Sequence, residues 1–140
     1  MADLNSYNIR WRWLKFMYIY TVIIAGGFGL AQLVAPFQMQ STLGMPQQDP
    51  LTFGFAASVL LALGLVAILG IRAPLKYCPI LLVELVYKLL WLCGVVVPVA
   101  LRGEFPNSCM VQVAIFFTFI IGDLIAIPCR YMFSRDTGIV

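Results

Sequence analysis

The sequence predicts an all-α membrane protein, a single bundle of four transmembrane helices with both termini in the cytoplasm. Of its 140 residues, 62% are hydrophobic and only 11% are charged, which is more apolar than an ordinary soluble domain. The apolar residues also form four long runs, and a helix needs roughly 20 of them to cross a bilayer. We therefore expect one membrane domain over residues 1–140, with helices over residues 14–35, 53–71, 75–100 and 110–133.

The distribution of positive charge predicts the orientation. Four crossings place both termini on one side of the membrane, and that side collects Arg10, Arg12, Lys15, Arg72, Lys76, Arg130 and Arg135. The opposite side has only Arg102. By the positive-inside rule the cation-rich side is cytoplasmic. Because these cations flank helix ends and form no surface patch, nucleic acid is excluded as a partner.

The first apolar run is expected to stay in the mature protein. It is too long for the apolar core of a cleaved signal peptide, and no A-x-A-like site ends it. Trp11, Trp13 and Tyr18 lie near its start, where interfacial aromatic residues gather. We therefore interpret it as a retained first transmembrane helix.

Small residues predict close helix contacts. Ala25 and Gly29 lie four apart in the first helix, and Gly54, Ser58 and Ala62 repeat every fourth position in the second. Such stripes let two membrane helices approach closely. We expect both stripes to face neighbouring helices.

Two connections carry structural signals. The segment over residues 36–50 is rich in Gln and Pro with a single charge, Asp49, and it is long for a plain connection. It is either an interfacial half-helix or a lid over the mouth of the bundle. In the next turn, over residues 71–79, Pro74 is suited to begin the third helix because a first-turn proline loses no hydrogen bond.

The four cysteines, Cys78, Cys93, Cys109 and Cys129, form no C-x-x-C pair, and the chain has no histidine. That pattern argues against a metal site. We interpret the cysteines as small apolar packing residues, with a Cys93–Cys109 disulfide as the alternative.

Three ionisable residues interrupt the apolar runs. Glu84 and Lys88 lie four apart in the third helix and so share a face, with the acid nearer the N-terminus, the better order for an ion pair. Asp123 lies in the fourth helix at a comparable depth. Each costs roughly 2.5 to 3.5 kcal/mol at the centre of a lone helix. We expect all three to turn inward as one polar cluster.

Two acids and one base leave the cluster unbalanced. Either one carboxyl holds a proton, or Arg130 reaches in, since it lies seven residues after Asp123 on the same predicted helical face. Tyr87 lies beside the pair, Gly122 permits a close approach, and Pro128 removes a helical hydrogen bond next to the acid. The cluster is therefore either a proton or substrate site or a salt bridge that sets helix register.

No catalytic set is visible. The sequence has no G-x-S-x-G, no P-loop and no dinucleotide-binding glycine fingerprint. We therefore expect a protein without enzymatic activity and without catalytic or metal-binding residues.

Two stretches carry a family resemblance. DPLTFGFAASVLLALGLVAILGIRAPLKYCPILLVELVYK, residues 49–88, and GDLIAIPCRYMF, residues 122–133, resemble the small DoxX-like membrane proteins. The resemblance implies a four-helix bundle in the bacterial cytoplasmic membrane. Some members of that superfamily are associated with quinone-linked sulfur oxidation or membrane redox complexes, while no catalytic residue of the family is matched here.

Three functional hypotheses follow. The first is a non-enzymatic structural or accessory subunit of a homo-oligomer or larger membrane complex, in which the polar cluster is a clasp between helices. The second is a proton-coupled transporter or lipid-binding protein that uses the cluster as its site. The third, a quinone-associated subunit, rests on the resemblance and on Tyr87 and Trp91 beside the charged pair. No cofactor is required, and membrane lipid and other subunits are the expected partners.

Overall fold

The computed structural model describes residues 9–133, and this part of the chain is all-helical. Its helices are α1 (Trp11–Val34), α2 (Pro36–Thr42), α3 (Pro50–Arg72), α4 (Cys78–Leu101), α5 (Met110–Ala126) and α6 (Cys129–Met132). Three of them, α1, α3 and α4, are long and apolar enough to cross a membrane, whereas α5 is apolar but shorter. The prediction of an all-helical membrane protein is confirmed at this level. Arg135, one of the predicted cytoplasmic cations, lies outside the described residues.

The second and third transmembrane helices begin at different residues than the sequence predicts. Asp49 starts α3 by accepting a hydrogen bond from the Thr52 backbone N–H at 2.8 Å, a standard N-terminal cap. This bond and one from the Thr52 hydroxyl hold the pKa of the Asp49 carboxyl below its usual range. Helix α4 begins at Cys78 instead of residue 75, and its first-turn proline is Pro79 instead of Pro74.

Pro74 has a different role, because its carbonyl accepts a hydrogen bond from the buried Tyr18 hydroxyl at 2.7 Å. Tyr18 therefore joins the first half of α1 to the turn between α3 and α4. The same ring lies so close to Gly70 that a Cβ there would meet it. These contacts bring together the start of α1, the end of α3 and the start of α4.

The predicted helix over residues 110–133 is wrong in its last turns. Helix α5 ends at Ala126, and Ile127 adopts an extended backbone with ψ of 119°. Pro128 explains the break, since a proline disfavours helical geometry at the preceding residue. Helix α6 then begins at Cys129 as a separate short helix.

Helix α1 changes its packing partners along its length. Its first half, Trp11–Thr21, packs on both α3 and α5, whereas its second half, Gly27–Val34, packs mainly on α3. A π-helical turn over Val22–Gly26 separates the halves. The second half of α1 therefore follows α3 and leaves a gap toward α5.

Glycines determine how closely α1 approaches α3. Ala25 and Gly29 are buried, as the first predicted stripe requires. A Cβ on Gly29 would lie 2.7 Å from the carbonyl oxygen of Ala57, and one on Gly26 would lie 3.3 Å from the Cα of Gly64. The two backbones are thus in direct contact.

The second predicted stripe is wrong about which face of α3 meets α1. Ser58 and Ala62 are exposed, and a Cβ on Gly54 would meet nothing within 4 Å. The buried face instead contains Phe53, Ala57, Gly64, Ala67 and Gly70. Helix α3 carries two faces with small residues, and only the packing against α1 selects between them.

Candidate functional site

The predicted ion pair forms inside the bundle. The Lys88 ammonium lies 2.6 Å from Glu84 Oε1, one turn apart on α4, and the two side chains are 1% and 0% exposed. The i, i+4 spacing places both on one face, as expected. The pair is therefore buried in the protein interior.

The second oxygen of Glu84 binds a residue that the sequence prediction does not include. The Thr21 hydroxyl on α1 donates a hydrogen bond to Glu84 Oε2 at 2.8 Å, and Thr21 is itself fully buried. Both carboxylate oxygens of Glu84 therefore have a donor. Thr21 is the only serine or threonine in the apolar first helix, and that was the available signal, because a buried hydroxyl requires a partner.

The Lys88 ammonium also lies over aromatic rings. Its Nζ is 3.8 Å from the ring centroid of Phe119 on α5 and 4.8 Å from that of Tyr87, with Phe116 slightly farther away. A cation over an aromatic face is attracted by the ring quadrupole, more strongly where water is excluded. Thr21, Glu84, Lys88 and Phe119 thus connect three helices, α1, α4 and α5, and we call these four residues the clasp.

Asp123 lies in the same interior but takes no part in the clasp hydrogen bonds. It is fully buried on α5, and within the described residues neither carboxylate oxygen has a hydrogen-bond partner. Glu84 and Lys88 are close enough to interact with it electrostatically. The predicted convergence of three ionisable groups is therefore present, with Asp123 as the member that has unused hydrogen-bonding capacity.

Neighbouring positions give Asp123 a close-packed setting. A Cβ on Gly122 would meet the side chain of Met17 on α1, at 2.8 Å from its Cε. Gly122 thus admits a side chain of the protein itself. The close approach expected at this glycine is therefore used for packing α1 against α5.

Arg130 does not complete the charge balance. It is exposed and lies in α6, beyond the break at Ile127 and Pro128. The expectation that it shares a helical face with Asp123 is wrong, because seven residues correspond to two turns only in an unbroken helix. Within residues 9–133, Glu84 and Lys88 form the only ion pair.

Tyr87 lies beside the clasp on the wall of a cavity. The cavity is about 70 Å³ in volume, lies among α1, α4 and α5, and has Lys88 and Phe119 in its lining. Phe116 contacts Tyr87 edge-to-face, with ring centroids 6.1 Å apart. The Tyr87 hydroxyl is buried and, within the described residues, has no hydrogen-bond partner.

The 36–50 segment contributes to this cavity. It contains α2, as the half-helix interpretation predicts, and Leu43 after that helix lines the cavity. Gln40 is buried, and its side-chain oxygen accepts a hydrogen bond from the Gln48 backbone N–H at 3.0 Å. The segment therefore folds back on itself and covers part of the cavity, while its position at a membrane interface stays a prediction.

The cysteines are all free. Cys78 is fully buried as a packing residue, but Cys93 and Cys129 are exposed. The packing interpretation is therefore wrong for these two, since their side chains face outward. Cys93 and Cys109 form no disulfide, and no group of three or more metal-ligating side chains occurs within the described residues.

We compared the chain with protein-family models, with curated proteins and with solved structures. None of the three comparisons gives a match. The DoxX-like resemblance therefore stays a prediction.

Proposed function

We propose that this chain is a small four-helix, multi-pass protein of the bacterial cytoplasmic membrane, with cytoplasmic termini, that serves as a non-enzymatic structural or accessory subunit. The observation that carries this proposal is that the charged groups of the clasp already have partners inside the protein. Both oxygens of Glu84 accept hydrogen bonds, and the ammonium of Lys88 is held by Glu84 and by aromatic rings. Charged groups whose partners all lie inside the protein favour a structural role for the ion pair.

The helix lengths and contacts support the four-crossing arrangement. Helix α5 has 17 residues, at the lower end of the range that spans a bilayer. The Tyr18 bond to Pro74 brings the α3–α4 turn, with Arg72 and Lys76, next to the first half of α1. These cations then lie on the side of Arg10 and Arg12, which favours a cytoplasmic location for that end.

The outer surface supports self-association as the subunit role. Gly54, Ser58 and Ala62 form a narrow stripe of small residues on α3 that no helix within residues 9–133 covers. Ser58 directs its hydroxyl to the carbonyl of Gly54 at 2.8 Å, so the stripe presents little polar surface. A second copy of this chain is the partner we propose for it, because small residues allow identical helices to pack closely in a membrane.

We expect the purified protein in mild detergent to be an oligomer, and Gly54→Leu to shift it to the monomer. The leucine would fill the stripe and separate the paired helices. The measurement is the protein mass by light scattering coupled to size-exclusion chromatography. Ala56→Leu is the matched control, since Ala56 is also exposed on α3 but lies off the stripe. A monodisperse wild-type monomer would refute self-association.

A second candidate function, proton-coupled transport, is favoured by one observation, the unpartnered carboxyl of Asp123. The ionisable groups around it are Tyr18 on α1 and Cys78, Glu84, Tyr87 and Lys88 on α4. Glu84 and Lys88 neutralise each other, so Asp123 is the member of the cluster that is free to exchange a proton.

For this candidate we expect liposomes containing the protein to dissipate a pH gradient, measured with a trapped pH-sensitive dye. Asp123→Asn should abolish the flux, because the amide cannot carry the proton. The control is Glu104→Gln, which changes an exposed acid in the α4–α5 turn. Equal proton flux with wild-type protein and with Asp123→Asn would eliminate transport through this group.

A further inference from the structure

One end of the helix bundle carries all but two of the lysine and arginine side chains that the structure describes. Each of these cations is exposed, namely Arg10, Arg12 and Lys15 near the start of α1, Arg72 at the end of α3, Lys76 in the α3–α4 turn and Arg130 on α6. The exposed acids of residues 9–133, Asp49 and Glu104, lie at the opposite end. None of the six cations takes part in an ion pair within the described part of the chain.

Close contacts between helices bring these cations to the same level of the bundle. A Cβ on Gly70, near the end of α3, would meet the Tyr18 ring, so α3 ends beside the first turns of α1. A Cβ on Gly122, near the end of α5, would meet Met17 in the same part of α1, and α6 follows α5 after a short break. The six cations therefore lie on four neighbouring elements at one end, and we call them the cationic collar.

The collar requires counter-charges from outside the protein. Like charges gathered on one surface repel one another and attract ions of the opposite sign. In a membrane the nearest source is the lipid headgroup layer, and clusters of about four to eight Lys or Arg next to a transmembrane helix attract anionic headgroups. The charge of the collar therefore favours an anionic partner.

The surface next to the collar is apolar, which restricts that partner further. Ile19 lies one turn after Lys15 on the same face of α1, and it is exposed. Leu69 lies one turn before Arg72 on α3, and it is exposed as well. A free anion would contact the charges alone, whereas a phospholipid contacts the cation through its headgroup and the neighbouring apolar side chain through its acyl chain.

We propose that the cationic collar binds the headgroups of anionic phospholipids, whose acyl chains lie along the exposed apolar faces of α1 and α3. The phosphate oxygens accept hydrogen bonds from the arginine guanidinium groups and the lysine ammonium groups. Long side chains of both types cover apolar surface with their stems while the charged ends reach the headgroups. Because the cations lie on four elements, the collar holds more than one lipid. This binding is separate from the clasp and from self-association.

The experiment compares spin-labelled phosphatidylglycerol with spin-labelled phosphatidylcholine. Both lipids have a phosphate and two acyl chains, but only phosphatidylglycerol has a net negative charge. The full-length protein is reconstituted in phosphatidylcholine bilayers, and electron paramagnetic resonance measures the fraction of each label held at the protein surface. At low salt we expect phosphatidylglycerol to associate roughly 3- to 5-fold more strongly. The preference should fall by at least half at about 1 M sodium chloride, where the screening length is roughly 3 Å.

Two double variants test whether the collar is the binding surface. Arg72→Gln with Lys76→Gln, and Arg12→Gln with Lys15→Gln, each remove two exposed charges and leave buried side chains unchanged. Each should reduce the preference for phosphatidylglycerol by roughly half. Arg102→Gln is the matched control, because Arg102 is an exposed cation at the opposite end, and it should leave the preference unchanged.

A further arm of the experiment distinguishes a lipid from a free anion. Inorganic phosphate and chloride are added at equal ionic strength, and we expect them to lower the preference equally, since both act by screening. A stronger effect of inorganic phosphate would mean that the collar is a site for free phosphate instead.

Two other results would overturn the proposal. One is equal association of the two labelled lipids at low salt. The other is a preference that Arg102→Gln lowers as much as the double variants do. The protein mass of each variant is measured in parallel, so a loss of lipid binding is distinguished from a loss of self-association, which depends on the stripe of Gly54, Ser58 and Ala62.

Discussion

Lys88→Met is expected to lower the free energy of unfolding by about 3 to 5 kcal/mol, the usual cost of removing one partner of a buried ion pair. The variant leaves the Glu84 carboxylate at 0% exposure with Thr21 as its remaining donor. It also removes the cation over the Phe119 ring. We expect the packing among α1, α4 and α5 to weaken as a unit, because the clasp connects all three helices. The measurement is equilibrium unfolding in mixed micelles with increasing denaturing detergent.

The double variant Glu84→Gln with Lys88→Met provides the control for this prediction. It removes both charges and leaves a neutral amide that still accepts a hydrogen bond from Thr21. We expect it to be more stable than Lys88→Met alone, because the cost of the single change is mainly an unpaired buried charge. If the effects of Glu84→Gln alone and Lys88→Met alone instead add up to the effect of the double variant, Glu84 and Lys88 do not act as one clasp.

Gly29→Ala is expected to destabilise the protein by about 2 to 3 kcal/mol, at the upper end of the range for overpacking. The added methyl group would lie 2.7 Å from the Ala57 carbonyl oxygen and closer still to the Leu61 backbone nitrogen. Backbone atoms cannot rotate away as a side-chain end can, so α1 and α3 must separate. The loss should appear in the same unfolding measurement.

Gly27→Ala is the matched control on the same helix. A Cβ at Gly27 meets nothing within 4 Å, and alanine has the higher helix propensity. We expect no destabilisation, or a slight gain. If Gly27→Ala and Gly29→Ala lower stability equally, the close contact between α1 and α3 does not limit the packing.

Only one of the contacts in the clasp could be predicted from spacing along the sequence. The spacing of Glu84 and Lys88 was sufficient to predict their ion pair, because i, i+4 neighbours on a helix meet whatever surrounds them. Thr21 lies 63 residues away from Glu84, and no local rule relates the two. Its partnership depends on the relative rotation of α1 and α4, which arises from packing.

Two other predictions from helical spacing, for Arg130 and for the small-residue stripe on α3, are wrong. Their seven-residue spacing predicts that Arg130 lies on the same helical face as Asp123, but the helix breaks at Ile127, before Pro128, and the two residues no longer share a face. The Gly54, Ser58 and Ala62 stripe has as regular a spacing as any contact face, yet it points outward. Periodicity identifies faces that are able to pack closely but does not say which one meets a partner.

The sequence by itself determined the class of protein, three of its four predicted apolar helices, and the Glu84–Lys88 pair, since these follow from composition, run length and helical spacing. Only the tertiary structure decided that Thr21 completes the clasp, that Asp123 is buried without a partner, and that a cavity opens beside Tyr87. The physical reason is that these features depend on distances between helices. The distance between α1 and α3, for example, is determined by backbone contacts at Gly26, Gly29 and Gly64, which arise only when the helices pack.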